Sequence, residues 1–263
     1  MPLPDRDPFL DDQGRPRKLF GIGLSTGSSR LAELAGNIGF ESVWIDVEHG
    51  GARSSDVESL CLACEAAGAV PAVRVSSGSR ENVLQALEAG ARLVVVPMVN
   101  SANEAQEIVD AGKFPPLGRR GFNSRSRGTR FGLRGTLDEF RHANDRTRLI
   151  AQIETGAAVK EVDSICRVEG LDGILVGPGD LSADMGKPAQ FTDPELVQSV
   201  IGCIKQAKAL GKHAGVFSSS PALLDACMQA GCDFAFVTID IGDLAQAWTA
   251  RRQELTKLYG NAK

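Results

Sequence analysis

The stretch RLIAQIETGAAVKEVDSICRVEGLDGILVGPGD, residues 148–180, decides the fold. Two apolar runs of strand length, RLIAQI at 148–153 and DGILVG at 172–177, are separated by a segment long enough for a helix. Runs that are apolar at nearly every position are typical of parallel strands buried on both faces. The stretch therefore predicts one complete β/α unit and the strand of the next.

The same unit recurs along the whole chain. Six further apolar runs lie at 19–24, 42–47, 70–75, 92–98, 213–217 and 234–239. Helix-like stretches separate them, such as SSRLAELAGNIG and RENVLQALEAG, and many end in the glycine expected after a helix. Eight units in 263 residues give about 33 residues each, which predicts an α/β protein with a single (β/α)₈ TIM barrel over residues 1–263.

A doubly wound sheet is the alternative architecture. Its dinucleotide-binding form places GxGxxG after the first strand and an acidic residue about 20 positions later. The turn GIGLSTG at 21–27 does not match that spacing, and no acidic residue follows in the right strand context. We interpret its glycines as a tight strand-to-helix turn.

Composition excludes several classes of protein. The chain has 29 Lys and Arg against 33 Asp and Glu, a net charge of −4, and 43% apolar residues. This balance excludes global disorder and argues against a nucleic-acid partner, and the absence of a long apolar run argues against a membrane partner. The start MPLPDRDPFLDD has no signal-peptide pattern, so we expect a cytoplasmic location and six reduced, buried cysteines.

One connection is about twice as long as the others. The runs at 92 and 148 start 56 residues apart, and the extra segment at about 113–147 holds six arginines between 119 and 134. A long βα insertion lies at the C-terminal face of a barrel, so we expect a lid or wall that attracts an anionic substrate or a neighbouring subunit. Under this hypothesis Arg125 selects an acidic or hydroxylated aldehyde. A solvated basic loop is the alternative.

Polar residues at strand ends are the candidates for catalysis in a barrel. His49 follows the second run, with Glu48 and Asp46 one and three residues before it. A carboxylate can fix the tautomer of an imidazole and raise its basicity, which suits a general base. Arg74 lies inside the third run between valines, where a guanidinium needs a partner, either a substrate oxygen or a structural carboxylate.

A second group of polar residues follows the fifth and sixth runs. Period-2 alternation puts Gln152 and Glu154 on one face, and Asp180 follows the next strand. Two converging carboxylates favour a hard divalent cation that keeps several waters, Mg²⁺ or Mn²⁺. Gly177 and Gly179 leave backbone N–H groups open to a substrate carboxylate. A capping Asp180 with an unrelated strand-end Glu154 is the alternative.

This set of residues suits enolate chemistry. A metal that holds a 2-oxo acid acts as a Lewis acid, Arg74 adds positive charge at the developing oxyanion, and His49 moves the proton of the aldol hydroxyl. No lysine lies at a strand end facing the barrel, which argues against a Schiff-base aldolase. Another enolate-forming lyase, mutase or decarboxylase, and a non-catalytic barrel that binds an oxo acid, remain as alternatives.

At these residues the sequence resembles the metal-dependent class II pyruvate aldolases, the family of 2,4-dihydroxyhept-2-ene-1,7-dioate aldolase and 2-dehydro-3-deoxyglucarate aldolase. The resemblance covers about residues 18–257. It is carried by WIDVEHG, VRV, LEAGARLVVVPMVNSANEA, FPPLGRRGF, AQIET and VEGLDGILVGPGDLSADMG, in this order.

The resemblance implies a role for each of these residues. The base is His49, supported by Asp46, and Arg74 stabilises the transition state. Gln152 contacts substrate or water, and Glu154 and Asp180 bind a divalent metal ion, Mg²⁺ or Mn²⁺ first and Co²⁺ or Zn²⁺ as further candidates.

The resemblance also implies an assembly and its substrates. It implies a homohexamer, a trimer of dimers with the last helix swapped, in which Glu88 reaches a neighbour's histidine. The substrates would be a 2-oxo acid and an aldehyde. The chain departs from the family pattern in three places: Glu88 replaces an Asp, Gly179 replaces an Ala or Ser, and residues 123–135 do not follow the pattern.

Overall fold

The computed structural model describes residues 7–133 and 142–260. Eight parallel strands close into one barrel in chain order, from β1 round to β8, which pairs with β1. The TIM barrel is therefore confirmed, and each predicted run contains its strand. The strands are β1 Leu19–Leu24, β2 Ser42–Asp46, β3 Val70–Arg74, β4 Leu93–Val96, β5 Arg148–Ile153, β6 Gly173–Val176, β7 His213–Phe217 and β8 Phe234–Ile239.

Helices follow the strands and surround the barrel. They are α1 Ser29–Ile38, α2 Val57–Ala66, α3 Arg80–Ala89, α4 Ala102–Gly112, α5 Gly156–Lys160, α6 Val162–Cys166, α7 Pro178–Asp184, α8 Pro194–Ala209, α9 Pro221–Gln229 and α10 Asp240–Tyr259. Short 3₁₀ helices span Ser54–Asp56 and Arg127–Gly132.

Local sequence sets several of the helix ends. Ser28 and Ser79 cap α1 and α3, and the predicted glycines Gly39 and Gly90 end these helices in the left-handed conformation. Within the two described ranges, no helix is long and apolar enough to cross a membrane.

The core has two layers, one on each face of the sheet. Side chains inside the barrel include Trp44, Leu93, Ile150 and Phe236. The larger layer lies between strands and helices and contains all six cysteines, which are free and buried as expected. Strand residues alternate between the two layers. Ile153 packs in the outer layer, so Gln152 and Glu154 on either side of it face the barrel axis.

The segment before β1 closes the N-terminal end of the barrel. Phe9 is 3% exposed, joins the inner layer and stacks on the ring of His213 with 3.8 Å between centroids. Asp7 pairs with Arg148 at the start of β5, 2.6 Å between Oδ2 and Nη2. The end of the barrel that this segment leaves uncovered is therefore the opposite, C-terminal one.

The long connection does not lie where the sequence suggested. It follows α4 rather than β4, and because helices of the barrel run antiparallel to its strands, it starts at the N-terminal end. The guanidinium of Arg127 pairs there with Glu65 in the last turn of α2, and Arg146 Nη2 donates to the carbonyl of Gly128 at 3.4 Å. The expected lid over this chain's own mouth, with Arg125 in it, is therefore wrong for the described residues; residues 134–141 lie outside them.

The terminal helix α10 makes few contacts with the barrel. Asp240 is its one buried residue among the parts of the chain that are described, and it accepts hydrogen bonds from the backbone of Ser25 and Thr26 after β1. Farther along, Trp248 is 68% and Tyr259 81% exposed. Hydrogen bonds thus hold the first turn of α10 to the barrel, whereas the apolar side chains farther along the helix are exposed.

Candidate active site

A cavity of about 290 Å³ opens at the C-terminal end of the barrel. Five predicted site residues, which end or follow four of the strands, line it: Asp46, Arg74, Gln152, Glu154 and Asp180. Their positions in the chain lie up to 134 residues apart, and the closed parallel sheet brings them together. Gly179 lines the same cavity.

Arg74 and Asp46 are direct neighbours across β2 and β3. Arg74 donates from Nε to Oδ1 at 3.0 Å and from Nη2 to Oδ2 at 2.6 Å. Burial alone would raise the pKa of Asp46, but the hydrogen bonds and charge of Arg74 outweigh it and hold the pKa below its usual value. The guanidinium also lies over the ring of Trp44, 5.3 Å from its centroid. Arg74 therefore makes the structural ion pair and also lines the cavity, while its contact with a substrate oxygen stays a prediction.

His49 is not among the residues that line this cavity; it lies on the turn after β2, which Asp46 holds. Asp46 Oδ1 accepts from the backbone N–H groups of Glu48 at 3.0 Å and of His49 at 3.1 Å. The imidazole is 67% exposed, and its Nε2 lies 3.9 Å from Glu48 Oε2, which also pairs with Arg74 Nη1 at 3.1 Å. Asp46 therefore orients the turn and the guanidinium, whereas the carboxylate beside the imidazole is that of Glu48. Burial raises the pKa of Glu48.

Glu154 is buried and fixed by two donors. Gln152 Nε2 donates to Oε1 at 2.5 Å, and the backbone N–H of Met98 donates to Oε2 at 3.0 Å. Met98 adopts a left-handed φ of 57°, an uncommon conformation for a residue with a side chain, and this turns its N–H toward the carboxylate. Burial raises the pKa of Glu154 to about 7, and the nearby charge of Asp180 acts in the same direction.

The two glycines after β6 differ in what surrounds them. A Cβ on Gly177 would lie 2.8 Å from Glu154 Oε1 and 3.1 Å from Gln152 Nε2. A Cβ on Gly179 would have nothing within 4 Å. A side chain at position 177 would therefore clash with the carboxylate of Glu154, so this position requires glycine. Gly179 instead leaves the backbone accessible at the cavity wall.

The side-chain oxygen atoms that line the cavity suit a hard divalent cation. Glu154 and Asp180 supply carboxylate oxygens, and Gln152 Oε1 is buried without a hydrogen-bond partner, so a water or hydroxyl group in the cavity could donate to it. Within residues 7–133 and 142–260 no group of three or more His, Cys, Asp or Glu could hold a metal. A cation bound by these two carboxylates would take its other ligands from water or substrate.

Glu88 lies away from this cavity in the same chain. It occupies the last turn of α3, at the N-terminal end of the barrel, and accepts a hydrogen bond from Asn123 Nδ2 at 3.1 Å. The other two histidines are also remote, because His213 starts β7 and His142 precedes β5.

Apolar lining residues of the cavity were not anticipated from the sequence. Trp44 and Phe217 meet edge to face with 5.4 Å between centroids, and Phe191 and Ile239 complete the apolar part of the wall. Ser218 adds a hydroxyl from the end of β7. The sequence could have identified Phe217, Ser218 and Ile239 as lining residues, because all three end or follow predicted strands.

The family of the chain follows from comparison of its sequence. The pattern of the HpcH/HpaI aldolase/citrate lyase family matches residues 21–247. The chain belongs to this family. Among its relatives, 2-keto-3-deoxy-L-rhamnonate aldolase of Salmonella gallinarum is 34% identical over 236 residues, 89% of this chain and 87% of that protein. These relatives confirm the prediction of a metal-dependent aldolase, a carbon–carbon lyase.

Solved structures of the HpcH/HpaI family have the same fold. A family protein from Burkholderia cenocepacia J2315 superposes with a TM-score of 0.84 at 31% identity, over 91% of this chain and 95% of that one. The HpcH/HpaI aldolase from Desulfitobacterium hafniense DCB-2 gives a TM-score of 0.87 at 26% identity, over 94% and 96%. The resemblance predicted from the sequence is therefore confirmed at the level of the family.

Proposed function

We propose that this HpcH/HpaI family member reversibly cleaves a 4-hydroxy-2-oxo acid to pyruvate and an aldehyde. The observation that carries the proposal is the convergence of Arg74, Gln152, Glu154 and Asp180 on one cavity, with His49 on the turn after β2 beside Glu48. The 2-keto-3-deoxy-L-rhamnonate of the Salmonella relative's name is a compound of this class, which supports the choice of substrate.

In this proposal the chain's own side chains move one proton and stabilise one charge. His49 accepts the proton of the C4 hydroxyl, the C3–C4 bond breaks, and its electron pair passes into the 2-oxo group to give the enolate of pyruvate. Arg74 stabilises the negative charge that develops on the C2 oxygen. Protonation of C3 completes pyruvate, and the aldehyde leaves.

Glu154 and Asp180 are the residues that would hold the divalent ion, with Mg²⁺ or Mn²⁺ first and Co²⁺ or Zn²⁺ as further candidates. When bound, the ion supplies Lewis acidity toward the 2-oxo acid. Gln152 donates to Glu154 and keeps an unpartnered oxygen in the cavity, which suits a contact with water or a substrate hydroxyl. The open backbone at Gly179 suits a substrate carboxylate.

The assembly is a second part of the proposal. We infer a homohexamer, a trimer of dimers in which α10 is exchanged between subunits, acting in the cytoplasm. The exposed apolar side chains of α10 support exchange, since burying them needs a second chain. In such an assembly Glu88 would meet the His49 of a neighbouring subunit. The molar mass in solution, measured by light scattering for the full chain and for Trp248→Glu, tests this.

The test of the reaction is pyruvate release. Metal-stripped protein is given a panel of 4-hydroxy-2-oxo acids with neutral and anionic tails, before and after addition of Mg²⁺, Mn²⁺, Co²⁺ or Zn²⁺. We expect release that depends on metal, is lost in Glu154→Gln and falls strongly in Arg74→Ala and His49→Ala. Release from no substrate with any metal would overturn the proposal.

A further inference from the structure

The cavity at the mouth of the barrel has two chemically different sides. The strands follow one another in chain order round the barrel, so residues at the ends of neighbouring strands lie side by side. The polar side consists of Asp46 and Arg74 at the ends of β2 and β3, Gln152 and Glu154 at the end of β5, and Asp180 after β6. It supplies the groups that the proposed reaction uses on the oxo-acid end of the substrate.

The remaining side carries no charged side chain among the described residues that line the cavity. It extends from the loop after α7 over β7 and β8 and past β1 to β2, and it consists of Phe191, Phe217, Ile239 and Trp44. We call these four residues the apolar wall. Ser218 and Ser219 add hydroxyl groups beside it. A ligand on this side therefore meets rings, an aliphatic side chain and neutral hydroxyls.

The charges of the cavity disfavour an anionic group on the apolar wall. Among the described lining residues Arg74 is the one cation, and its guanidinium already pairs with Asp46 at 2.6 Å and with Glu48 at 3.1 Å. A carboxylate that packed on the apolar wall would leave water without gaining a positive partner there. Such a transfer is costly.

A buried negative charge next to the apolar wall acts in the same direction. Asp240 follows Ile239 in the chain and is 4% exposed. Burial alone would raise the pKa of Asp240, but hydrogen bonds from Thr26 and from the backbone of Ser25 outweigh it and hold the pKa below its usual value. Asp240 is therefore ionised at neutral pH and repels an anion that packs on Ile239.

A fixed loop between α7 and α8 holds Phe191 at the cavity. On one side of Phe191, Ala189 adopts a left-handed φ of 59°, and its N–H donates to Ser182 Oγ in α7 at 3.0 Å. On the other side, Asp193 caps α8 and pairs with Lys187 Nζ at 2.9 Å. Both ends of the short segment that carries Phe191 are thus anchored, so this part of the apolar wall is formed before a ligand binds.

We infer that the aldehyde part of the substrate carries a neutral, apolar tail, which packs on the apolar wall. The inference rests on the proposed function, because it takes the oxo-acid end of the substrate to lie on the polar side. The turn that carries His49 follows β2, which contributes Asp46 to the polar side and Trp44 to the apolar wall. The C4 hydroxyl that His49 would serve therefore lies where the two sides meet, and the tail beyond C4 faces the apolar wall.

Two aldehydes of the same shape separate charge from size. In 4-methylpentanal and 4-oxobutanoate the non-hydrogen atoms have the same number and branching, and only the end group differs, an isopropyl group against a carboxylate. The experiment measures kcat/KM of each aldehyde for condensation with saturating pyruvate, catalysed by the full chain with Mg²⁺. Exchange of the methyl protons of pyruvate with D₂O, followed by NMR, reports on the polar side alone, because it needs no aldehyde.

Variants of Phe191 test the wall itself. Phe191→Ala removes the ring, and Phe191→Arg replaces it by a cation. Phe131→Ala is the matched control, since it removes a phenylalanine that is 56% exposed on the long connection, away from the cavity. Folding of each variant is checked by its melting temperature.

We expect wild type to prefer 4-methylpentanal over 4-oxobutanoate by about tenfold or more in kcat/KM, the scale on which an apolar pocket discriminates. Phe191→Ala should lose about tenfold with 4-methylpentanal and change less than about threefold with 4-oxobutanoate. Phe191→Arg should gain about tenfold with 4-oxobutanoate, because a guanidinium pairs with its carboxylate. Proton exchange should stay within about threefold of wild type in both variants, and Phe131→Ala should change none of these values.

Equal kcat/KM values for the two aldehydes in wild type, or a preference for 4-oxobutanoate, would overturn the inference. A preference for 4-methylpentanal that both Phe191 variants keep would overturn the role of the apolar wall, as would equal losses of condensation and proton exchange in Phe191→Ala. Failure of the proposed function looks different, because wild type would then condense pyruvate with neither aldehyde and release pyruvate from no 4-hydroxy-2-oxo acid.

Discussion

Asp46 and Arg74 are register partners at the C-terminal ends of β2 and β3, and their side chains form two hydrogen bonds of 3.0 and 2.6 Å. A buried guanidinium is stable only beside a carboxylate, and this pair meets that condition while one face of Arg74 remains on the cavity. The pair thus positions a permanent positive charge where the proposed enolate oxygen forms.

Replacing Arg74 by Lys should therefore keep a charge but lose the geometry. An ammonium group cannot make both bonds to Asp46 and also contact Glu48, so it will not stay at one position. We expect kcat/KM for aldol cleavage to fall about 100-fold, as for loss of one oxyanion donor, with a measurable drop in melting temperature. Steady-state kinetics and thermal melting check this. A variant as active as wild type would mean that the charge alone suffices.

Metal affinity should depend on pH through Glu154. Burial raises its pKa to about 7, so the carboxyl is mostly protonated at pH 6 and mostly ionised at pH 8. Because a cation has to displace this proton, we expect Mg²⁺ affinity to fall about tenfold from pH 8 to pH 6. Isothermal titration calorimetry of the metal-stripped protein measures it, with Glu154→Gln as the control that binds no metal at either pH. Equal affinities at the two pH values would contradict the assignment.

The sequence predicted those parts of the site that depend on local pattern. Each apolar run fixed a strand, and alternation along β5 placed Gln152 and Glu154 on the cavity side. It did not identify the partner of Arg74, because the pairing of residues on two strands follows from barrel closure and not from either strand alone. Nor did it distinguish Glu48 from Asp46 as the neighbour of His49, which depends on a turn held by backbone hydrogen bonds.

The error about the long connection has a similar origin. Spacing between strands gives the number of inserted residues but not the end of the barrel at which they lie. The helix α4 intervenes between β4 and the inserted segment, which places residues such as Arg127 at the N-terminal end. Glu88 also lies at the N-terminal end of the barrel, because it is in the last turn of α3 and this helix runs antiparallel to the strands.

The two glycines after β6 give a matched pair of variants. In Gly177→Ala the new methyl group would lie 2.8 Å from Glu154 Oε1, so the carboxylate has to move. We expect metal affinity to fall about tenfold or more, the effect of disturbing the surroundings of a ligand. Gly179→Ala has open space at the same position and should bind metal within about twofold of wild type. Calorimetry at pH 8 compares them, and equal losses would contradict the steric argument.

Closure of the barrel at its N-terminal end should contribute to stability without contributing to catalysis. Phe9 is 3% exposed and packs on His213 and Phe234, at the opposite end from the cavity. We expect Phe9→Ala to lower the free energy of unfolding by about 3–5 kcal/mol, because it removes a ring and leaves a cavity. The exposed Phe131, replaced in the same way, should change it by about 0.5 kcal/mol or less. Urea unfolding of the two variants measures the difference, and at temperatures where both are folded their kcat values should equal that of wild type. A loss of kcat in folded Phe9→Ala would show that packing at this end is transmitted along the barrel to the catalytic residues.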